Sequence, residues 1–333
     1  MIRDAARKRG RRDGDRRRRG RWPARLAAAA LAVALAGCGT KQVVAPVDTN
    51  AVVWTRISDP NTLPGPISPD WRGDTLVVQF YNPVTGSDRI AKLADDGTGI
   101  SYYPGAFGLD FVSDDRPKWE SDSILVFSTG YLSGFDLWSR SLATGVVHQI
   151  THFTGGEFDP DPIPGTPGVV YTTGPTRFTG RISIIPDTAG VPLDVRYLTP
   201  AGMNAGEPIW SPTGSRICFS ADSADGSRHV WLATLSAGDT TLTQLTTGPF
   251  HDFSPRWMPD GTRILFESDR TGRAGIWWVS PQGEGSGLDV IAFEDKGATI
   301  RTPVPSPDGS KIVCVSDGRG FGVCLWVLTN FHF

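Results

Sequence analysis

The sequence predicts an all-β fold, a six-bladed β-propeller closed by an N-terminal strand that completes the last blade. Three observations predict it. A proline-led pattern recurs six times between residues 51 and 333, about one propeller repeat apart each time. Glycine and proline are abundant, at 39 and 26 of 333 residues, and punctuate the chain into short strands and turns. The strand missing from the last repeat is present ahead of the first.

Each repeat opens with a Pro and, in most copies, a Trp two residues later. A turn, a β-branched run ending in an aromatic, a polar loop and an Ile/Leu-Trp strand follow. The clearest copy is Pro255-Arg256-Trp257-Met258-Pro259-Asp260-Gly261, then Ile264-Leu265-Phe266 and Gly275-Ile276-Trp277. Copies at Pro208 and Pro303 are nearly as clear, and weaker ones start at Pro66, Pro117 and Pro160. These prolines are separated by 51, 43, 48, 47 and 48 residues. Pro-Asp-Gly suits a type I turn followed by a residue of positive φ, so the Trp strand reverses into the Ile-Leu-Phe strand. A fourth strand ends in Ile150-Thr151, Leu198-Thr199 or Leu245-Thr246. The last repeat lacks it, and Val52-Val53-Trp54-Thr55-Arg56-Ile57-Ser58 supplies it, closing the ring and removing its exposed edges. Most Trp residues recur at repeat positions and therefore pack between blades.

The first 37 residues form no part of this ring. Twelve basic residues crowd the first 25, and residues 26–37 read LAAAALAVALAG. A twelve-residue helix rises about 18 Å, too short for a hydrocarbon layer of about 30 Å, so the segment is a signal peptide and not a membrane span. Leu35-Ala36-Gly37-Cys38 resembles the bacterial lipobox, which implies lipid attachment at Cys38 and stable anchoring by several acyl chains. Gly39 and Thr40 lack the Asp that retains lipoproteins at the inner membrane, which favours the outer membrane facing the periplasm. The expected organisation is signal peptide 1–37, lipidated tether 38–50 and propeller 51–333.

From Leu26 onward, 21 basic residues face 32 acidic ones, a balance that argues against nucleic-acid binding. The repeat resembles the TolB-like branch of the WD-repeat-related propellers, whose signature is Pro-x-Trp-Ser-Pro-Asp-Gly, an apolar strand, a Ser-Asp-Arg-like loop and an Ile-Trp strand. The resemblance covers the whole ring. In TolB an α/β domain adjoins the propeller, whereas only residues 38–51 precede it here.

No catalytic constellation is present. There is no Gly-x-Ser-x-Gly elbow and no nucleotide-binding loop, and Gly318-Arg319-Gly320-Phe321-Gly322 reads as a hairpin. The five histidines lack metal-ligand spacing. Asp222-Ser223-Ala224-Asp225-Gly226 faintly resembles a calcium loop but lacks its terminal Glu, so it reads as a polar turn; calcium in the channel is left open. Cys314 and Cys324 lie on neighbouring strands in an exported chain, which permits a bond, although Cys324 points to the opposite sheet face from Leu325.

The candidate site is the channel mouth, lined by the residues just before each anchoring proline. They are Gly65, Arg116, Asp159, Glu207, Ser254 and Thr302, with Asp115, Asp252 and Arg301 nearby. The ligand- or partner-binding set is thus Arg116, Asp159, Glu207, Asp252, Ser254 and Arg301. The expected function is a non-enzymatic, monomeric, lipid-anchored scaffold that binds an envelope protein or peptide. The alternative is a carbohydrate-binding or metal-dependent carbohydrate-cleaving propeller, for which Asp159 with Glu207 is the nominated carboxylate pair.

Overall fold

The innermost strands Ile67–Arg72, Ser113–Ser121, Gly156–Pro162, Ala205–Trp210, Asp252–Trp257 and Ile300–Pro305 begin six antiparallel sheets, blades 1 to 6. They contact one another in cyclic order, blade 6 meeting blade 1, so the ring is closed. The computed structural model describes residues 42–44 and 52–333, except 109–111, 132–133, 190–193, 238 and 294–297. The segment read as a signal peptide, residues 1–37, and Cys38 lie outside the described residues.

Blades 1 to 5 each take four consecutive strands. Blade 6 takes Ile300–Pro305, Ile312–Ser316 and Cys324–Thr329 from the C-terminal end and Val53–Arg56 from the other, with Val53 opposite Thr329 and Arg56 opposite Trp326. Gln42–Val44, within the stretch read as a tether, adds a fifth strand outside Val53–Arg56.

The apolar runs on both faces of each sheet produce six buried clusters among the described residues, one per blade interface. Phe127 and Trp138 of blade 2, for instance, pack with Val77 and Ile90 of blade 1. Trp326 is fully buried between blades 5 and 6. The repeated tryptophans are therefore packing residues, as their spacing predicts.

Turn chemistry is equally repetitive. In Met258-Pro259-Asp260-Gly261 the Gly261 N–H donates to the Met258 carbonyl at 2.9 Å. Gly261 has φ 69°, a conformation that side chains disfavour. The Leu-Thr pairs have a specific use: the hydroxyls of Thr151, Thr199 and Thr246 accept the backbone N–H groups of Leu137, Ile182 and Val230 at 2.8, 3.0 and 2.9 Å. These threonines are almost completely buried. In blade 6 the same cap comes from the N-terminal strand, where Ser58 Oγ accepts the Leu325 N–H at 2.7 Å. Ile57-Ser58 is the Leu-Thr pair of the split blade.

Cys314 faces Trp326, and Cys324 faces Ser316 two positions along. The two thiols therefore share one sheet face as diagonal neighbours, a placement at which Cβ atoms stand up to about 7–8 Å apart, beyond disulfide reach. Cys218, Cys314 and Cys324 are all buried and carry thiols outside any disulfide among the described residues.

Two outcomes follow. Alkylation of the unfolded protein without reductant is expected to modify all three thiols, whereas a linked Cys314–Cys324 peptide in the digest would contradict this geometry. Ser58→Ala leaves a buried N–H unpaired and should lower stability by about 1–3 kcal/mol in a denaturant melt, as should Thr246→Ala in an unsplit blade.

Candidate functional site

Every innermost strand bulges at an equivalent position, where the register slips between Ile67 and Asp70, Asp115 and Lys118, Phe158 and Asp161, Gly206 and Ile209, Phe253 and Arg256, and Arg301 and Val304; blade 2 slips again between Trp119 and Ser121. The residues before the bulge prolines are Ser68, Arg116, Asp159, Glu207, Ser254 and Thr302, with φ between 49° and 60°. A proline cannot donate to the ladder, so it belongs at a bulge, and its ring disfavours right-handed helical geometry in the residue before it. The left-handed conformation costs about 1–2 kcal/mol per non-glycine residue.

This regularity corrects blade 1. Its bulge proline is Pro69, in Ser68-Pro69-Asp70-Trp71, and not Pro66; Gly65 lies before the innermost strand and Ser68 takes the place assigned to it. The interval to Pro117 becomes 48 residues, in line with the last three intervals of 48, 47 and 48.

A bulge frees a backbone N–H, and side chains of the preceding blade accept it. Gln79 Oε1 of blade 1 accepts the Arg116 N–H at 3.1 Å, and Glu207 Oε2 of blade 4 accepts the Ser254 N–H at 2.9 Å. One layer deeper, Asp70 Oδ2 and Asp161 Oδ2 accept the Trp119 and Trp210 N–H groups of the next blade, both at 2.9 Å. Lys118 Nζ bridges those two aspartates at 2.9 and 4.0 Å.

Arg116 spans the channel. Its guanidinium lies 3.0 Å from Asp159 Oδ1 and 3.4 Å from Glu207 Oε1. Burial alone would push the Glu207 carboxyl up, but Arg116, the Ser254 N–H, Arg228 and Ser220 outweigh it and hold it at about 2. Burial pushes Asp159 up against the pull of Arg116 and Arg177. Neither Asp159 oxygen has a directed hydrogen bond among the described residues.

Ser254 Oγ lies 3.1 Å from Glu207 Oε1 and 2.9 Å from Glu267 Oε1. A hydroxyl has one proton to give, so it cannot serve two carboxylates at once. A proton on Glu267 resolves the conflict, and burial with the adjacent Glu207 charge pushes the Glu267 carboxyl to about 7.

Above this layer opens a cavity of about 840 Å³. Arg116, Glu207 and Ser254 form part of its lining, and Arg301 stands exposed beside Thr302. Phe178, Phe253 and His251 build an aromatic wall, with Phe253 centroids 6.1 Å from Phe178 and 6.0 Å from His251. Arg228 lies 5.3 Å from the Phe178 centroid and 2.8 Å from Asp222. Arg177 pairs with Asp115.

Several sequence expectations are thereby relocated. Asp252 does not line the cavity; it is fully buried, paired with Arg270 at 2.9 Å and with His229 Nδ1 at 3.3 Å. Asp159 sits deeper, beside Lys118 and Arg256. Asp159 and Glu207 do not form a carboxylate pair open to a substrate, because the Arg116 guanidinium contacts both and Asp159 lies below the cavity lining. Asp222 of the calcium-like turn is occupied by Arg228 and Asn204. No group of three metal-ligating side chains occurs among the described residues. Arg177, Phe178, Arg228, His251, Phe253 and Glu267 are cavity residues that the repeat did not single out. Glu267 had a signal: it follows Phe266 where the repeats carry Ser128, Thr172 and Ser220 after their aromatics.

Residues 197–328 match the family described as the TolB beta propeller domain. TolB from Acinetobacter baumannii has the same fold, with a TM-score of 0.58 and 16% identity over 78% of this chain and 65% of that one. A putative TolB from Agrobacterium tumefaciens gives 0.53 and 21% over 74% and 78%. A gluconolactonase from Xanthomonas campestris gives 0.57 and 14% over 84% and 90%. This chain thus spans about two thirds of the length of the Acinetobacter TolB. No curated protein sequence matches it. The ring is a six-bladed propeller in which residues 197–328 match the TolB beta propeller family, and its fold is shared with proteins that include a gluconolactonase.

Glu207→Gln removes one member of a buried ion-pair network and should lower stability by about 3–5 kcal/mol in denaturant melts. The two mouth carboxyls should titrate stability in opposite directions. Glu207, held low, contributes stability above its unfolded value of 4.5 that is lost as pH falls towards 2. Glu267, held high, contributes stability below 4.5 that is lost as pH rises through about 7. Thermal melts of Glu267→Gln should therefore gain on the parent between pH 5 and pH 8; a constant difference would contradict the assignment.

Proposed function

We propose that this TolB-like propeller is a non-catalytic binding module, exported and lipid-anchored through Cys38 in the cell envelope, that holds a protein or peptide segment in its channel mouth. The observation that carries the reading is the division of the mouth into two layers. At the base, Arg116, Asp159, Glu207 and Ser254 are engaged with one another and tie blades together. Above them the cavity presents an aromatic wall, apolar Ile67 and Ile300, and the exposed Arg301 and His251. An apolar pocket with a few converging polar groups suits a segment with mixed side chains.

The division also decides where to test. Charge reversal at Arg116 or Glu207 would disturb the ring itself, so a probe belongs on the rim. A photo-crosslinker in place of His251 in the full-length protein, expressed in its native host, should yield one dominant protein adduct. A folded, membrane-associated sample that yields none would overturn the reading. For the anchor, incorporation of labelled palmitate should be lost in Cys38→Ala, and unchanged labelling would exclude attachment at that thiol.

A further inference from the structure

We propose that the mouth contains a pocket for a primary ammonium group, formed by Glu267 of blade 5, Thr302 of blade 6 and Ser68 of blade 1. It rests on the reading of the mouth as a peptide site and specifies which chemical group enters it.

All three residues line the cavity, and their blades are consecutive around the ring. Ser68 Oγ and Thr302 Oγ1 are buried, and neither has a hydrogen-bond partner among the described residues. A buried hydroxyl without a partner costs about 1–3 kcal/mol, so each marks a place where a polar partner is wanted, and each can accept from a donor. Glu267 engages Ser254 through Oε1 and takes no hydrogen bond through Oε2 among the described residues. An ammonium has three protons to donate, and this sector offers three unused acceptors.

The charge balance points the same way. The arginines around the mouth are committed: Arg116 to Asp159 and Glu207, Arg177 to Asp115, and Arg228 to Asp222. Arg301 acts on Glu267 from a distance and is exposed, so water screens it. Asp269 adds a further carboxylate to the lining, where its Oδ1 accepts the backbone N–H of His251. Ile67, Ile300 and Phe253 can pack against the methylenes of a lysine side chain, which buries its stem and leaves its head to polar partners. A chain N-terminus carries the same ammonium without the stem.

Binding a cation requires Glu267 to be ionised. With Glu207, Arg116 and Arg301 as its charged neighbours its carboxyl ionises at about 7, so a proton leaves as the ammonium arrives. Affinity should rise about tenfold between pH 6 and pH 8.

The test is calorimetric titration of the full-length protein with Nα-acetyl-lysine methylamide, its Nε-acetyl derivative, and a lysine-free tripeptide with a free N-terminus. The lysine derivative should bind, its Nε-acetyl form about tenfold or more weakly, and Glu267→Gln should lose a similar factor. Ser68→Ala combined with Thr302→Val, which removes the hydroxyls and keeps the charges, should weaken binding several-fold if Glu267→Gln proves unstable. Tighter binding of the tripeptide than of the lysine derivative would assign the pocket to a chain terminus. Equal binding of the acetylated form, no binding of either amine, or affinity independent of pH would overturn the proposal. A rim crosslink that survives acetylation of the captured partner's amines would overturn this pocket while leaving the peptide reading intact; absence of any crosslink would remove the peptide reading instead.

Discussion

The ring depends on a backbone compromise repeated six times. Each innermost strand holds a left-handed residue followed by a proline, and the bulge this creates leaves an N–H that its own sheet cannot pair. Where the acceptor is a side chain of the preceding blade, as Gln79 is for Arg116 and Glu207 for Ser254, the local irregularity becomes a tie between neighbours. At Ser254 a cost of about 1–2 kcal/mol in backbone conformation is offset by a hydrogen bond to the buried Glu207 carboxylate, a kind commonly worth about 1.5–3 kcal/mol.

This constraint explains why charge accumulates at the channel without being available to a ligand. Glu207 receives the Ser254 N–H, the Ser220 hydroxyl and Arg116, so its oxygens are fully used. Arg116 in turn reaches two other blades. Binding capacity is left to groups outside this set, the rim residues and the acceptors that no neighbour satisfies. Mixed charge around an axis looks like a receptor in sequence; in three dimensions most of it is mortar.

The fold was legible because its signals are periodic. Pro255-Arg256-Trp257 and Ile264-Leu265-Phe266 repeat a pattern set by packing, and packing is shared by all blades. Closure was legible too, and Ile57-Ser58 turns out to replace a Leu-Thr pair chemically as well as positionally. Aligning blade 1 on Pro66 displaces it by three residues, although Pro69-Asp70-Trp71 carries the repeat's Pro-x-Trp spacing and lies 48 residues before Pro117. The mouth was legible only in part. Arg116, Glu207, Ser254 and Arg301 reach the cavity, but Asp252, three residues before its proline, turns into the wall against His229 and Arg270. Glu267, Phe178 and Arg228 sit on strands and loops whose aim depends on neighbouring blades, which no single repeat encodes.

The split blade also bears on how the chain is made. Ser58 and Leu325, joined by a hydrogen bond, are 267 residues apart, so the N-terminal strand waits through synthesis of nearly the whole ring before its partner exists. Blades 1 to 5 are each contiguous in sequence and can form as they emerge, whereas blade 6 forms only when both ends are present. A chain truncated anywhere before Cys324 leaves Val53–Arg56 without the strand it pairs with and blades 1 and 5 with uncovered faces. The last seam to close thus decides whether the apolar faces of blades 1 and 5 are covered, and an unfinished chain exposes surface that the complete ring buries.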